Sequence, residues 1–132
     1  MDFKDDIVAI STPTGMGAIA LIRITGDNAL MKVEPFFKSR SGTSISDIKS
    51  HSIIYGDITY DDEIIDEVVL SYFAKGKSFT GQETVEISCH GSTYIQKTII
   101  EKLLTNNIRL AKAGEFTMRA FLNGKFDLTQ AE

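Results

Sequence analysis

Apolar residues fall in short blocks or strict alternation along most of the chain, and one stretch alone keeps helical spacing over several turns. Residues 7–10 (IVAI) and 18–25 (AIALIRIT) are β-branched runs separated by STPTGMG at 11–17, a pattern that predicts two strands joined by a loop. Leu30, Val33 and Phe37 follow Gly26-Asp27-Asn28 at helical spacing. Pro35 lies inside that stretch and should end or kink the helix, because it lacks an N–H and clashes with the preceding turn. The polar segment 39–50 reads as a loop. Strands are expected over 51–59 and 68–73, connected near 61–63, and over 84–90 after a loop at 76–82 (GKSFTGQ).

Residues 92–106 predict the clearest helix, with Ile95, Ile99, Leu103 and Leu104 on one stripe and Gln96, Lys97, Glu101 and Lys102 largely opposite. A short strand at 108–111 and a helix at 115–123 follow; the helix should pack Phe116 and Leu122 and close at Gly124. Asp127 or Thr129 suits the cap of a further helix beginning LTQAE. The order β-β-α-β-β-β-α-β-α is rich in hairpins. It predicts an α+β fold, a mainly antiparallel sheet or partial barrel with two or three helices, rather than a doubly wound parallel sheet.

Composition narrows the possibilities. The 132 residues, 42% hydrophobic and 24% charged, suit one domain with one core, or a piece of a larger protein. No apolar run approaches the ~20 residues of a membrane helix, and MDFKDD lacks the features of a signal peptide. A net charge of −4 argues against a domain that binds nucleic acid through a basic surface. One cysteine, Cys89, excludes an internal disulfide and fits a cytoplasmic location. With two histidines, His51 and His90, it is too little for a Cys/His zinc site, so no metal site is expected. The acidic patch at Asp61, Asp62, Glu63, Asp66 and Glu67 reads as a solvated turn. No stretch matches the phosphate-cradling pattern GxxxxGK[ST].

Two strands carry candidate chemistry. Alternation puts Ile19, Leu21, Arg23 and Thr25 on one face and Ala18, Ala20, Ile22 and Ile24 on the other. Arg23 thus sits on a strand apolar on both faces, and either a ligand or an internal ion pair would account for it. Val85, Ile87 and Cys89 point one way and Glu86, Ser88 and His90 the other. This is either an ordinary half-exposed strand or one whose Glu86 accepts two parallel hydrogen bonds from a ligand edge. Cys89 and His90, on opposite faces, cannot form a nucleophile–base pair, and Cys89 reads as core. Lys125, like Lys77, Arg109 and Arg119, is either a solvated charge or an anion ligand.

Three segments, DDIVAISTPTGMGAIALIRITG (5–26), KSFTGQETVEISCHG (77–91) and AGEFTMRAFLNGKFDLTQAE (113–132), together resemble the N-terminal domain of the MnmE/TrmE family of tRNA modification GTPases. The resemblance implies a folate-binding and dimerisation domain at 1–125, like that of glycine-cleavage aminomethyltransferases, with 126–132 starting a helix that leads into helical and GTPase domains. It implies 5-formyltetrahydrofolate or a related reduced folate here, and GTP, magnesium and potassium in the GTPase domain. The implied partners are a second copy of the chain, a flavin-dependent MnmG (GidA) protein and tRNA, whose wobble uridine is modified at C5. The resemblance implies no membrane partner. Arg23, Glu86 and Lys125 match folate-contacting positions, and no catalytic residue is expected in this part of the protein. An autonomous aminomethyltransferase-like enzyme using His90 as base, or a ligand-free interaction module, are the alternatives. The chain departs from the family pattern at Met16, Ser92 and Ala113.

Overall fold

The computed structural model describes residues 4–11 and 18–124. Its elements are β1 (Asp6–Ile10), β2 (Ile19–Gly26), α1 (Ala29–Val33), a 3-10 turn (Glu34–Phe36), β3 (Phe37–Ser39), a second 3-10 turn (Ile45–Asp47), β4 (Ser52–Tyr60), β5 (Glu63–Phe73), β6 (Glu83–His90), α2 (Thr93–Leu104), β7 (Ile108–Leu110) and α3 (Glu115–Leu122). They form one open seven-stranded sheet in the order β3-β4-β5-β6-β2-β1-β7. Every neighbouring pair is antiparallel except β1 and β7, which run parallel. The fold is α+β, as the hairpin-rich pattern predicts.

Local chemistry explains most boundaries. Asp61 and Asp62 both have positive φ, 50° and 65°, the conformation that lets a two-residue turn follow the twist of the β4–β5 hairpin. The acidic patch therefore divides: Asp61, Asp62 and Glu63 are the exposed turn, whereas Asp66 is buried on β5. Pro35 ends α1 as expected, but the chain then turns through a 3-10 segment and Phe37 enters β3, a strand absent from the sequence reading. Three residues with one buried side chain are too short to show periodicity.

The sheet has two unlike faces. On one, Val8, Ile22, Ile24, Val85, Ile87, Val68 and Leu70 form the main core with Leu30 and Val33 of α1 and Ile99 and Leu103 of α2. Ser92 caps α2 by accepting the Ile95 N–H at 3.3 Å. Of the expected stripe, Leu104 is left exposed. On the other face, Ile7 is fully buried but stands apart from that core, and α3 lies there with Ala120 also fully buried. Here the expectation fails: Leu122 of α3 is exposed, and the helix buries the charged pair Glu115 and Arg119 instead.

Gly56 of β4 is paired with Ser39 on one side and Val68 on the other. A methyl group there would meet the Lys38 carbonyl oxygen and, at 2.6 Å, the Phe37 ring. Gly56→Ala is expected to cost about 1–3 kcal/mol of stability, read as a lower urea midpoint with unchanged slope.

Candidate functional site

Strand register brings the two candidate residues side by side. Ala9, Arg23, Glu86, Ser71 and Ile53 form one row across β1, β2, β6, β5 and β4, on the face that α3 partly covers. Arg23 Nε donates to Glu86 Oε2 at 2.7 Å, and Nη2 lies 2.7 Å from the same oxygen. Glu86 Oε1 accepts no hydrogen bond from the described residues. The pair is neither buried nor fully solvated, with side chains 24% and 18% exposed. Both alternatives for Arg23 are thus partly met: it has an internal partner, and that partner keeps an oxygen for something else.

Aromatic rings and a cavity surround the pair. The Arg23 guanidinium carbon is 6.0 Å from the centroid of Phe79 and 6.0 Å from that of Phe116, within range for a cation–π attraction. A cavity of about 370 Å³ opens beside it, lined by Ala9, Ser11, Arg23, Gly114, Phe116 and Thr117 among others.

Both rings are held from beneath by polar groups. In the loop before β6, Thr80 is fully buried and its hydroxyl lies 2.7 Å from that of Thr25, which in turn is 2.8 Å from that of Thr84. Ser78 Oγ donates to the Gln82 carbonyl. These bonds pull the loop onto β2 and leave Phe79 at the rim, 47% exposed.

On the other side, α3 is fixed by a charge cluster. Arg119, 0% exposed, donates to the Asp5 carbonyl (2.8 Å), Asp5 Oδ1 (2.6 Å), Gln82 Oε1 (2.9 Å) and Glu115 Oε2 (2.9 Å). Arg109 clamps Glu115 with two parallel bonds of 2.8 and 2.5 Å, the bidentate geometry that a planar guanidinium favours. Asn123 Nδ2 donates to the Thr80 carbonyl at 3.0 Å, tying the end of α3 to the loop that carries Phe79.

The Glu115 carboxyl is pulled down to about 2, first by the Arg109 hydrogen bonds, with the Lys112 N–H and Arg119 adding to them against burial. For Asp5, burial alone would raise the value, but hydrogen bonds from Arg109 and Arg119 outweigh it and lower the pKa.

The remaining candidates lie elsewhere. Lys125, Met16 and the LTQAE segment fall outside the described residues. Cys89 is core, its thiol pushed up to about 11 by burial and then by the Asp66 charge. His90 shares the face of Glu86 but stands four residues along β6, roughly 13 Å away at strand spacing. Its Nδ1 and its backbone N–H meet the two oxygens of Asp66 at 2.7 and 2.8 Å. Ile19, Ile53 and Tyr55, 67%, 73% and 50% exposed, occupy the uncovered part of this face.

Phe79 and the burial of the Glu115–Arg119 pair escaped the sequence reading. Phe79 sat in a loop without periodicity. Glu115 and Arg119, spaced i,i+4 on a short helix, carry an ion-pair signal that exposed pairs share, so it does not announce burial.

The fold and site define an α+β domain that offers a carboxylate and two aromatic rings beside a cavity. Residues 6–125 match the family model described as the GTP-binding protein TrmE N-terminus, and the chain belongs to that family. It is 54% identical over its whole length to a tRNA modification GTPase MnmE of Flavobacterium psychrophilum, covering 29% of that protein. It is 51% identical over its whole length to the MnmE of Christiangramia forsetii, covering 28% of it, and 48% identical to that of Clostridioides difficile, covering 29%. The chain thus spans less than a third of the relatives it matches, and in each it corresponds to the N-terminal part. Among the described residues, no helix is long and apolar enough to cross a membrane.

The charge cluster sets the acid limit of the fold. Glu115 and Asp5 are held below their ordinary range, so their contribution is complete above about pH 4.5 and lost as pH falls towards 2. For Glu115 this amounts to at most about 3 kcal/mol. Glu115→Gln should be less stable at neutral pH and flatten the decline of thermal midpoint between pH 5 and 2.

Proposed function

We propose that this chain is the folate-binding and dimerisation domain, residues 1–125, of a GTPase that modifies C5 of the wobble uridine of tRNA, with 126–132 beginning the helix that leads onward. The observation that carries the reading is the Glu86 carboxylate, one oxygen of which takes no hydrogen bond from the described residues, beside two phenyl rings and a cavity. These groups fit a reduced folate such as 5-formyltetrahydrofolate. The pterin edge carries adjacent N–H donors that a carboxylate accepts in parallel, the rings suit its flat face, and Arg23 and Lys125 suit the formyl oxygen or the tail carboxylates. Bound folate would supply a one-carbon unit, while this domain's residues bind and orient it.

GTP, with magnesium and potassium, belongs to a further domain of the protein. Within this chain Gly76-Lys77-Ser78 ends like a phosphate loop, but Ser71 stands where the first glycine is required, and the segment joins two strands rather than a strand and a helix. The partners in this reading are a second copy through this domain, a flavin-dependent MnmG (GidA) protein and tRNA, in the cytoplasm. The bare apolar positions Ile19, Ile53 and Tyr55 support pairing with another copy. An autonomous aminomethyltransferase is the weaker reading, because His90 stands far along β6 from Glu86 and already engages Asp66.

Calorimetric titration with 5-formyltetrahydrofolate should give binding that Glu86→Ala weakens by more than tenfold, about 1.4 kcal/mol. No binding by a folded dimer would overturn the folate role. In sedimentation, Ile53→Glu should shift the chain towards monomer at a given concentration. An unchanged distribution would remove this face from the dimer contact.

A further inference from the structure

We propose that Arg23 is a built-in stand-in for the ligand's own edge, so that the site admits a pterin only when the same molecule brings an anion to receive the displaced guanidinium. The inference rests on the folate reading above and goes beyond it by naming what the site rejects.

A guanidinium is a flat N–C–N unit with coplanar N–H donors, and the 2-amino-4-oxopyrimidine edge of a pterin is another. Arg23 occupies Glu86 with the same kind of donor edge, but through one oxygen: Nε and Nη2 both lie on Oε2 at 2.7 Å, with Phe79 and Phe116 each 6.0 Å from its central carbon. An edge with two parallel donors needs a site on each carboxylate oxygen, and Arg23 already makes two contacts to Oε2, so it must give up at least one of them and shift aside when the edge binds. Space for the displaced side chain lies in the adjoining cavity, about 370 Å³, whose walls include the small residues Ala9, Ala111, Ala113 and Gly114.

What that cavity lacks, among the described residues, is a second uncommitted anion. The one carboxylate in its lining, Glu115, already accepts from Arg109, Arg119 and the Lys112 N–H. An arginine moved from a shared carboxylate into a partly enclosed space without a counter-charge loses its pairing and part of its hydration together, and that loss opposes binding. A pterin with an anionic tail supplies the missing charge. A tailless pterin does not, and it must compete with Arg23 for Glu86.

The test uses the whole 132-residue chain and two ligands, 5-formyltetrahydrofolate and the matching 5-formyl-6-methyltetrahydropterin without the tail, titrated into wild type and Arg23→Met. Wild type should bind the tailed compound and bind the tailless one at least about a hundredfold more weakly. In Arg23→Met the tailless compound should bind at least tenfold tighter than it does to wild type, because Glu86 has lost its competitor. Equal or weaker binding of the tailless compound to the variant overturns the stand-in role while leaving folate binding intact. Binding of neither ligand to wild type overturns both. Arg23→Leu, which also removes the charge and every donor, provides the same comparison should the methionine variant fail to fold by circular dichroism.

Discussion

A fully buried guanidinium governs this domain. Removing Arg119 from water costs several kcal/mol unless its charge is paired and hydrogen-bonded, and its two terminal nitrogens donate to groups far apart in the chain: Asp5 before β1, Gln82 before β6 and Glu115 one turn earlier on α3. Glu115 is in turn held by Arg109 of β7. The seat of the last helix is therefore built jointly by the start of the first strand, the loop ahead of β6 and the edge strand. Charge dominates the docking of α3, and the fully buried apolar side chains outside the main core, Ile7 and Ala120, are few and small in area. Once seated, the helix places Phe116 near Arg23, and the same cluster reaches the loop that carries Phe79 through Gln82 and, via Asn123, Thr80. Both aromatic walls of the site are thus set by one network.

The main sheet was legible because β1, β2, β5 and β6 carry blocks or alternation long enough to show a period, and the connections on either side of β5 carry Asp61, Asp62, Gly76 and Gly81 where positive φ is needed. Alternation alone put Arg23 and Glu86 on defined faces. It could not show that they face each other, because pairing register is a tertiary property set by both strands together. The charge cluster was illegible for a related reason. Arg109, Glu115 and Arg119 look like surface residues of a short strand and a short helix, and the burial of Arg119 depends on Asp5 and Gln82, both far away in sequence. β3 was missed because three residues carry no period.

The site also lies on a boundary. α3 covers the β7–β1–β2 half of its face, where Ile7 is sealed, and leaves the β4–β5 half bare, where Ile53 and Tyr55 stand exposed. The row Ala9–Arg23–Glu86–Ser71–Ile53 crosses from the covered half to the bare half, with the ion pair at the seam. A ligand placed there touches the helix on one side and approaches the apolar surface on the other. If a second copy covers that surface, as proposed, ligand and partner approach the same seam. Any contact between them makes ligand affinity depend on protein concentration, because a ligand that prefers the paired form also stabilises it. An open sheet with one half of a face uncovered allows this coupling; a closed barrel would have shut the seam away from the partner.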